Sequence, residues 1–403
     1  MNTGMPTALN ETKPAAQARR RVARKALCAA VAASLALAGA SADAITRDQA
    51  KRIHDRIAGV PPSDAVLTQM AAASSADAAA QIALDNSNFY NVTLKNMAMP
   101  WTNRAQTVFA PLNDYVATVI GMVRDDVDFS TLLSADLVYV AKAGTSGVTS
   151  AYSPANNDMY EQLQNSGADL KTALQGTTQS SVSGLPAAAT AGIITTRAAA
   201  QAFFIAGTNR AMFSFTMQNH LCHDLGSLID PTRPPDRVRQ DVSRSPGGDS
   251  RLYLNVCMGC HSGMDPLTQA FAYYNYDNTA GKLVYTAGQV QPKYLINSDN
   301  FKPGYVTPDD HWDNRWIAGP NQILGWASSS THSGDGAKSM GMELAKSDAF
   351  ARCQVEKVFK TVCYRVPTNQ ADRDQVDSMI GRFKSGYRLK QVFADSAVYC
   401  MGS

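Results

Sequence analysis

The chain has 403 residues, 45% of them apolar and 18% charged, which is too long for one small module and too apolar for a disordered chain. Its 27 Gly and 18 Pro exclude a collagen-like or Pro-rich architecture. The formal charge of +3 comes from the first 44 residues: without their six basic and two acidic side chains, 31 basic and 32 acidic groups remain, a net of −1. A chain so balanced has no electrostatic footprint for nucleic acid.

Residues 1–44 read as a secretory signal peptide. Arg19-Arg20-Arg21-Val22-Ala23-Arg24-Lys25 is a charged start, and Ala26 to Ala40 is an apolar run shorter than the ~20 residues a membrane span needs. Ala42-Asp43-Ala44 supplies a small-x-small cleavage site, with Ala40-Ser41-Ala42 as a second, so the mature chain is expected to begin near Ile45. The alternative is an uncleaved anchor. Cys28 leaves with the leader. The expected location is periplasmic or secreted, in a bacterium, with no transmembrane helix in the mature chain.

The mature chain reads as mainly α: a helical domain over 45–200 with a Gly/Ser/Thr-rich loop region, then a second helical domain over 201–403 with long irregular loops and few short strands. Residues 45–142 read as helices. Ala50, Ile53 and Ile57 share a face in Arg47–Ile57, which stops at Gly59. Helices follow over Ala65–Leu84 and Val108–Val123. Within the loop-rich stretch 143–192, short helices are expected over Asn157–Gln164 and Leu170–Leu174. Ala198–Leu228 is helical. Beyond it, Val284-Tyr285 and Tyr294-Leu295-Ile296 read as short strands. Ser339–Cys363, Gln370–Lys384 and Leu389–Val398 close the chain as helices. In the second of these, Val376, Met379, Ile380 and Phe383 recur at helical spacing.

Cys257-Met258-Gly259-Cys260-His261 carries the chemistry. C-x-x-C-H is the attachment sequence of c-type haem. One helical turn presents both thiols to the vinyl groups of one porphyrin edge, and the following His supplies the proximal nitrogen to iron. An export signal upstream agrees, because this attachment happens outside the cytoplasm. A zinc site would need two further ligands at similar spacing, and a redox dithiol would sit at a strand-to-helix junction; neither is readable. One motif implies one covalent haem c and makes 201–403 a cytochrome c-like helical domain. Its distal ligand stays open among Met340, Met342, His220 and His223.

Six of the seven cysteines follow the leader. Haem takes two, and Cys222, Cys353, Cys363 and Cys400 are expected to form two disulfides, with three pairings possible. Cys353 and Cys363 lie ten apart on one expected helix, ~15 Å along its axis, too far to bridge each other. Weaker signals are Asp309-Asp310-His311-Trp312-Asp313, a cluster of metal-capable side chains, and Asp125-Asp126-Val127-Asp128, which lacks the Gly and Glu of an EF-hand.

The run from Cys257 through His261 to Asp265-Pro266, continued by Ala270-Phe271-Ala272-Tyr273-Tyr274-Asn275-Tyr276-Asp277 and Gly281, resembles the planctomycete-type cytochrome c domain family. Pro111–Tyr115 with Asp128–Tyr139, and Ala349–Cys353 through Gly386–Leu389, resemble the helical domains that flank the haem segment in that family. The resemblance implies an exported haem protein and supplies no substrate. One-electron transfer to or from a redox protein is the leading expectation. The alternatives are a haem enzyme, oxidase- or peroxidase-like, with an open distal site, and a binding module whose haem is structural.

Overall fold

Polar caps decide where the helices begin. In the computed structural model, which describes residues 45–204, 207–295 and 303–402, helix α1 (Arg47–Ala58) starts at a reciprocal cap. The Gln49 N–H donates to Thr46 Oγ1, and the Thr46 N–H donates to Gln49 Oε1. Gly59, at φ 72°, ends it. The single helix expected over Ala65–Leu84 is two, α2 (Asp64–Ala71) and α3 (Ala76–Leu84), because the Ser75 side chain caps the Ala78 N–H and restarts the chain. Helix α4 (Asp114–Arg124) begins at its Asn113 cap, later than the expected Val108; Val108 and Phe109 are exposed in the turn before Pro111.

Helices α5 (Arg197–Phe203), α6 (Arg210–Thr216) and α7 (Met258–Thr268) form the middle of the chain. Helices α8 (Gly336–Ala345), α9 (Asp348–Cys363), α10 (Gln370–Lys384) and α11 (Leu389–Tyr399) close it. The helix expected over Ser339–Cys363 is therefore split, at a Ser347 cap. Three antiparallel pairs complete the fold: β1 (Val138–Ala141) with β2 (Leu174–Thr177), β3 (Tyr274–Asp277) with β4 (Lys282–Tyr285), and β5 (His311–Asp313) with β6 (Ser333–Asp335). The β1 strand corrects the all-helical reading of 45–142. The strand expected at Tyr294-Leu295-Ile296 is replaced by a 3-10 turn over Pro292–Tyr294; Ile296 and residues 1–44, the expected signal peptide, lie outside the described residues.

The fold is mainly helical, with only short two-stranded sheets. The expected boundary at residue 200 does not interrupt the core. One apolar cluster runs from Ile45 to Ala397, and α5, which spans residue 200, packs on both α4 and β4. Helix α11 returns to lie against α1, α3, α9 and α10. Disulfides join Cys222 to Cys353 and Cys363 to Cys400, so Cys353 and Cys363 each bond elsewhere, as the spacing requires. Among the described residues no helix is long and apolar enough to cross a membrane.

Candidate functional site

The C-x-x-C-H segment lies inside one helical run. The Asp249 side chain caps its start by accepting the Arg251 N–H at 2.9 Å, a π-helical turn covers Tyr253–Cys257, and α7 continues to Thr268. Two glycines bring its back face against the protein. A Cβ at Gly259 would lie 2.8 Å from Ile229 Cγ2, and one at Gly263 would lie 1.9 Å from Trp316 Nε1. Cys257 and Cys260 stand one turn apart as free thiols, each partly buried. Cys257 packs beside Val238, Val242 and Tyr253, while Cys260 leans on the main core. Burial pushes the Cys260 thiol up to about 11, opposite to the depressed pKa of a reactive dithiol.

His261 is anchored from behind. Its Nδ1 is 3.1 Å from Oδ1 of Asp265, one turn further along α7, and Nε2 has no hydrogen-bond partner among the described residues. Asp265 is buried and takes more: Arg210 donates from Nε at 2.8 Å and Nη2 at 3.0 Å, and the Arg239 backbone N–H donates at 3.2 Å. The Arg239 guanidinium stands 3.6 Å away. Arg210 also grips Asp241, at 2.6 and 2.9 Å. Burial alone would raise the Asp265 pKa, but the Arg210 and Arg239 charges and the His261 bond outweigh it and hold the carboxyl well below the usual range. Exposed apolar side chains flank the thiols. Leu252, Leu254 and Val256 precede them, and Ile229 and Ile317 sit on segments packed against α7.

The distal candidates differ in their surroundings. His220 is buried on a π-helical turn, Met217–Leu221; its Nε2 is 2.6 Å from Tyr115 Oη, and Nδ1 has no partner among the described residues. Trp101 meets its ring edge-on. Met340 is fully buried in the main core on α8, and Met342 on the same helix is 44% exposed. His223 is half-buried. No known protein supplies a template: no family model, curated protein or solved structure matches this chain.

Other motifs resolve into ordinary structure. His311 pairs with Asp335 at 2.9 Å across the β5–β6 ladder and lies 3.6 Å from Asp313. Asp125 accepts from Arg124 and from Tyr139 Oη. Among the described residues no group of three or more His, Cys, Asp or Glu is gathered to hold a metal ion, so the Cys257–Cys260 pair gains no third and fourth zinc ligand there. Sequence reading missed the ion cluster behind His261. The His261–Asp265 spacing of four on a helix is a usable signal; Arg210, 55 residues before Asp265, gives none.

Proposed function

We propose that this chain is an exported monohaem c-type cytochrome that passes single electrons to or from a redox protein. One observation carries the reading. Four of the six described cysteines close into two disulfides, and the two that stay free stand one turn apart beside a histidine with one ring nitrogen anchored and the other open. Two thiols, an oriented imidazole and an exposed apolar surround fit the donor chemistry of a haem. Bound there, haem would supply a one-electron Fe(III)/Fe(II) couple. Cys257 and Cys260 would hold it as thioethers, and His261 would offer Nε2 to iron, its tautomer fixed by Asp265. The resemblance of residues 257–277 to the planctomycete-type cytochrome c domain family supports the same reading.

The test is direct. Haem stain should survive denaturing electrophoresis of the mature protein, and Cys257→Ala with Cys260→Ala should abolish it. A wild-type band that releases its haem in denaturant refutes the proposal. A second reading, a haem enzyme with an open distal site, has one observation in its favour: His220 and Met340 are both buried in the core, and the His220 Nε2 is already engaged, 2.6 Å from Tyr115 Oη. Carbon monoxide separates the two readings. A six-coordinate reduced spectrum that changes slowly supports the carrier; a high-spin spectrum with immediate carbon monoxide binding supports the enzyme.

A further inference from the structure

We infer that Asp265 is the positioning residue that sets the reduction potential of this site: by accepting the His261 Nδ1–H it makes the ring a stronger electron donor and favours the ferric state. The inference rests on the haem reading above and adds a property which that reading does not contain.

The geometry carries it. A neutral imidazole can offer Nε2 to a metal only when its proton sits on Nδ1, and Asp265 Oδ1, 3.1 Å from Nδ1, is there to receive that proton's bond. The acceptor is a carboxylate, not a backbone carbonyl. Asp265 is enclosed and paired with two guanidiniums, Arg210 at 2.8 Å and Arg239 at 3.6 Å. A ring that donates to an anion takes on part of the character of imidazolate, and a more basic ligand stabilises Fe(III) over Fe(II).

The surrounding cluster makes that bond stiff. Oδ1 is shared between His261 and Arg210 Nε, while Oδ2 is held by Arg210 Nη2 and the Arg239 N–H. Neither oxygen can rotate away without breaking a bond to an arginine. Asp241 balances Arg210 from the other side. The cluster then holds two carboxylates and two guanidiniums and is neutral, so it gives no electrostatic push toward a protonated ring.

The experiment is a potentiometric titration of the holo-protein at pH 7 for the wild type and two variants. Asp265→Asn keeps the size and an acceptor oxygen but removes the charge from the His261 bond. Asp241→Asn removes the same charge from the same cluster and leaves that bond in place. Asp265→Asn is expected to shift the ferric-to-ferrous ratio at a fixed potential about tenfold toward ferrous, a rise of about 59 mV. Asp241→Asn should shift it far less. No shift in Asp265→Asn overturns the inference, and so do equal shifts in both, because bulk charge then suffices.

A readout on the wild type keeps the test open should Asp265→Asn not fold. After photolysis of the carbon monoxide adduct, the iron–histidine stretching band should lie above that of a reduced haem carrying a neutral imidazole in water. A band at the neutral value overturns the inference. A wild type without covalent haem overturns the reading beneath it, and that outcome shows on the stained gel before any potential is measured.

Discussion

Lys357 is a largely buried ammonium with no ion pair among the described residues. Its Nζ donates to the Asn219 carbonyl and lies 4.0 Å from the Trp101 ring centroid, and burial pulls its pKa from 10.5 down to about 7. Next to it, burial and the Lys357 charge hold His220 well below its usual 6.5. From about pH 7 to 10.5 the unfolded chain keeps the Lys357 proton that the folded chain sheds, so stability rises with pH across that window. Below about pH 6.5 the unfolded chain also protonates His220 while the folded chain resists, so stability falls further as pH drops. Urea midpoints should climb between pH 7 and 9, with a slope of up to about 1.4 kcal/mol per pH unit from this lysine. Lys357→Met should flatten that climb; an unchanged slope in the variant rules out this origin. Sequence could not show this lysine's state, because on α9 it reads as a solvated position between Glu356 and Val358. The thiols and His261 were legible because their chemistry is local to five residues. Removing Arg210 should expose how much the cluster behind them matters: Arg210→Ala leaves Asp265 buried with less compensation and is expected to cost about 3–5 kcal/mol in denaturant unfolding.

Helix α4 shows packing overruling propensity. Gly121 lies inside it, where Ala would be better by about 1 kcal/mol on propensity alone. The Tyr139 ring of β1 occupies the space, however; a Cβ on Gly121 would lie 2.1 Å from Tyr139 Cδ1. Tyr139 is pinned there, with its Oη on Asp125 at 2.7 Å and its backbone N–H on Thr118 Oγ1 at 3.2 Å. Overpacking of this kind costs about 1–3 kcal/mol, so Gly121→Ala should lower the melting temperature. A higher melting temperature would mean the ring moves freely. The same contact explains what the sequence hid. The bounds of Gln370–Lys384 are legible in the sequence because its apolar period is internal to the helix. β1 could not be read, because its partner begins 36 residues later, Val138 facing Thr177, and Leu137 to Ala141 continues an apolar stretch that suits either structure. The helix breaks at Ser75 and Ser347 are not legible in the sequence, because a single Ser is also tolerated inside a helix.

At the scale of the molecule, the chain is closed on itself. Helix α11 covers α1 and α3, and Gln49 Nε2 donates to the Gly402 carbonyl at 3.1 Å. The two disulfides span 131 and 37 residues. Chain entropy alone gives about 5 and about 4 kcal/mol for loops of those lengths, so the double variant Cys222→Ala, Cys353→Ala should lose about 1 kcal/mol more than Cys363→Ala, Cys400→Ala. Thiol labelling of denatured, unreduced mature protein should find no free thiol when haem is attached and two when it is not. The number of disulfides was legible from the even cysteine count, and the exclusion of a Cys353–Cys363 bond from helix length. The choice between the remaining pairings was not, because it depends on how α9 meets the turn after α6.

The Cys222–Cys353 bond reaches over Cys257 and Cys260. If the chain is exported as proposed, it leaves the cytoplasm with its sulfurs in order, so an oxidant would meet 222, then 257 and 260, and only later 353. Pairing by proximity would join the wrong partners and consume the two that the proposed cofactor needs. On that proposal, biogenesis would have to sort sulfurs by time: either the middle pair is kept reduced and capped before Cys353 arrives, or an isomerase undoes the first mistake. Hosts lacking periplasmic disulfide isomerase should accumulate mispaired protein, and replacing Cys222 and Cys353 together should relieve that dependence even as it weakens the fold.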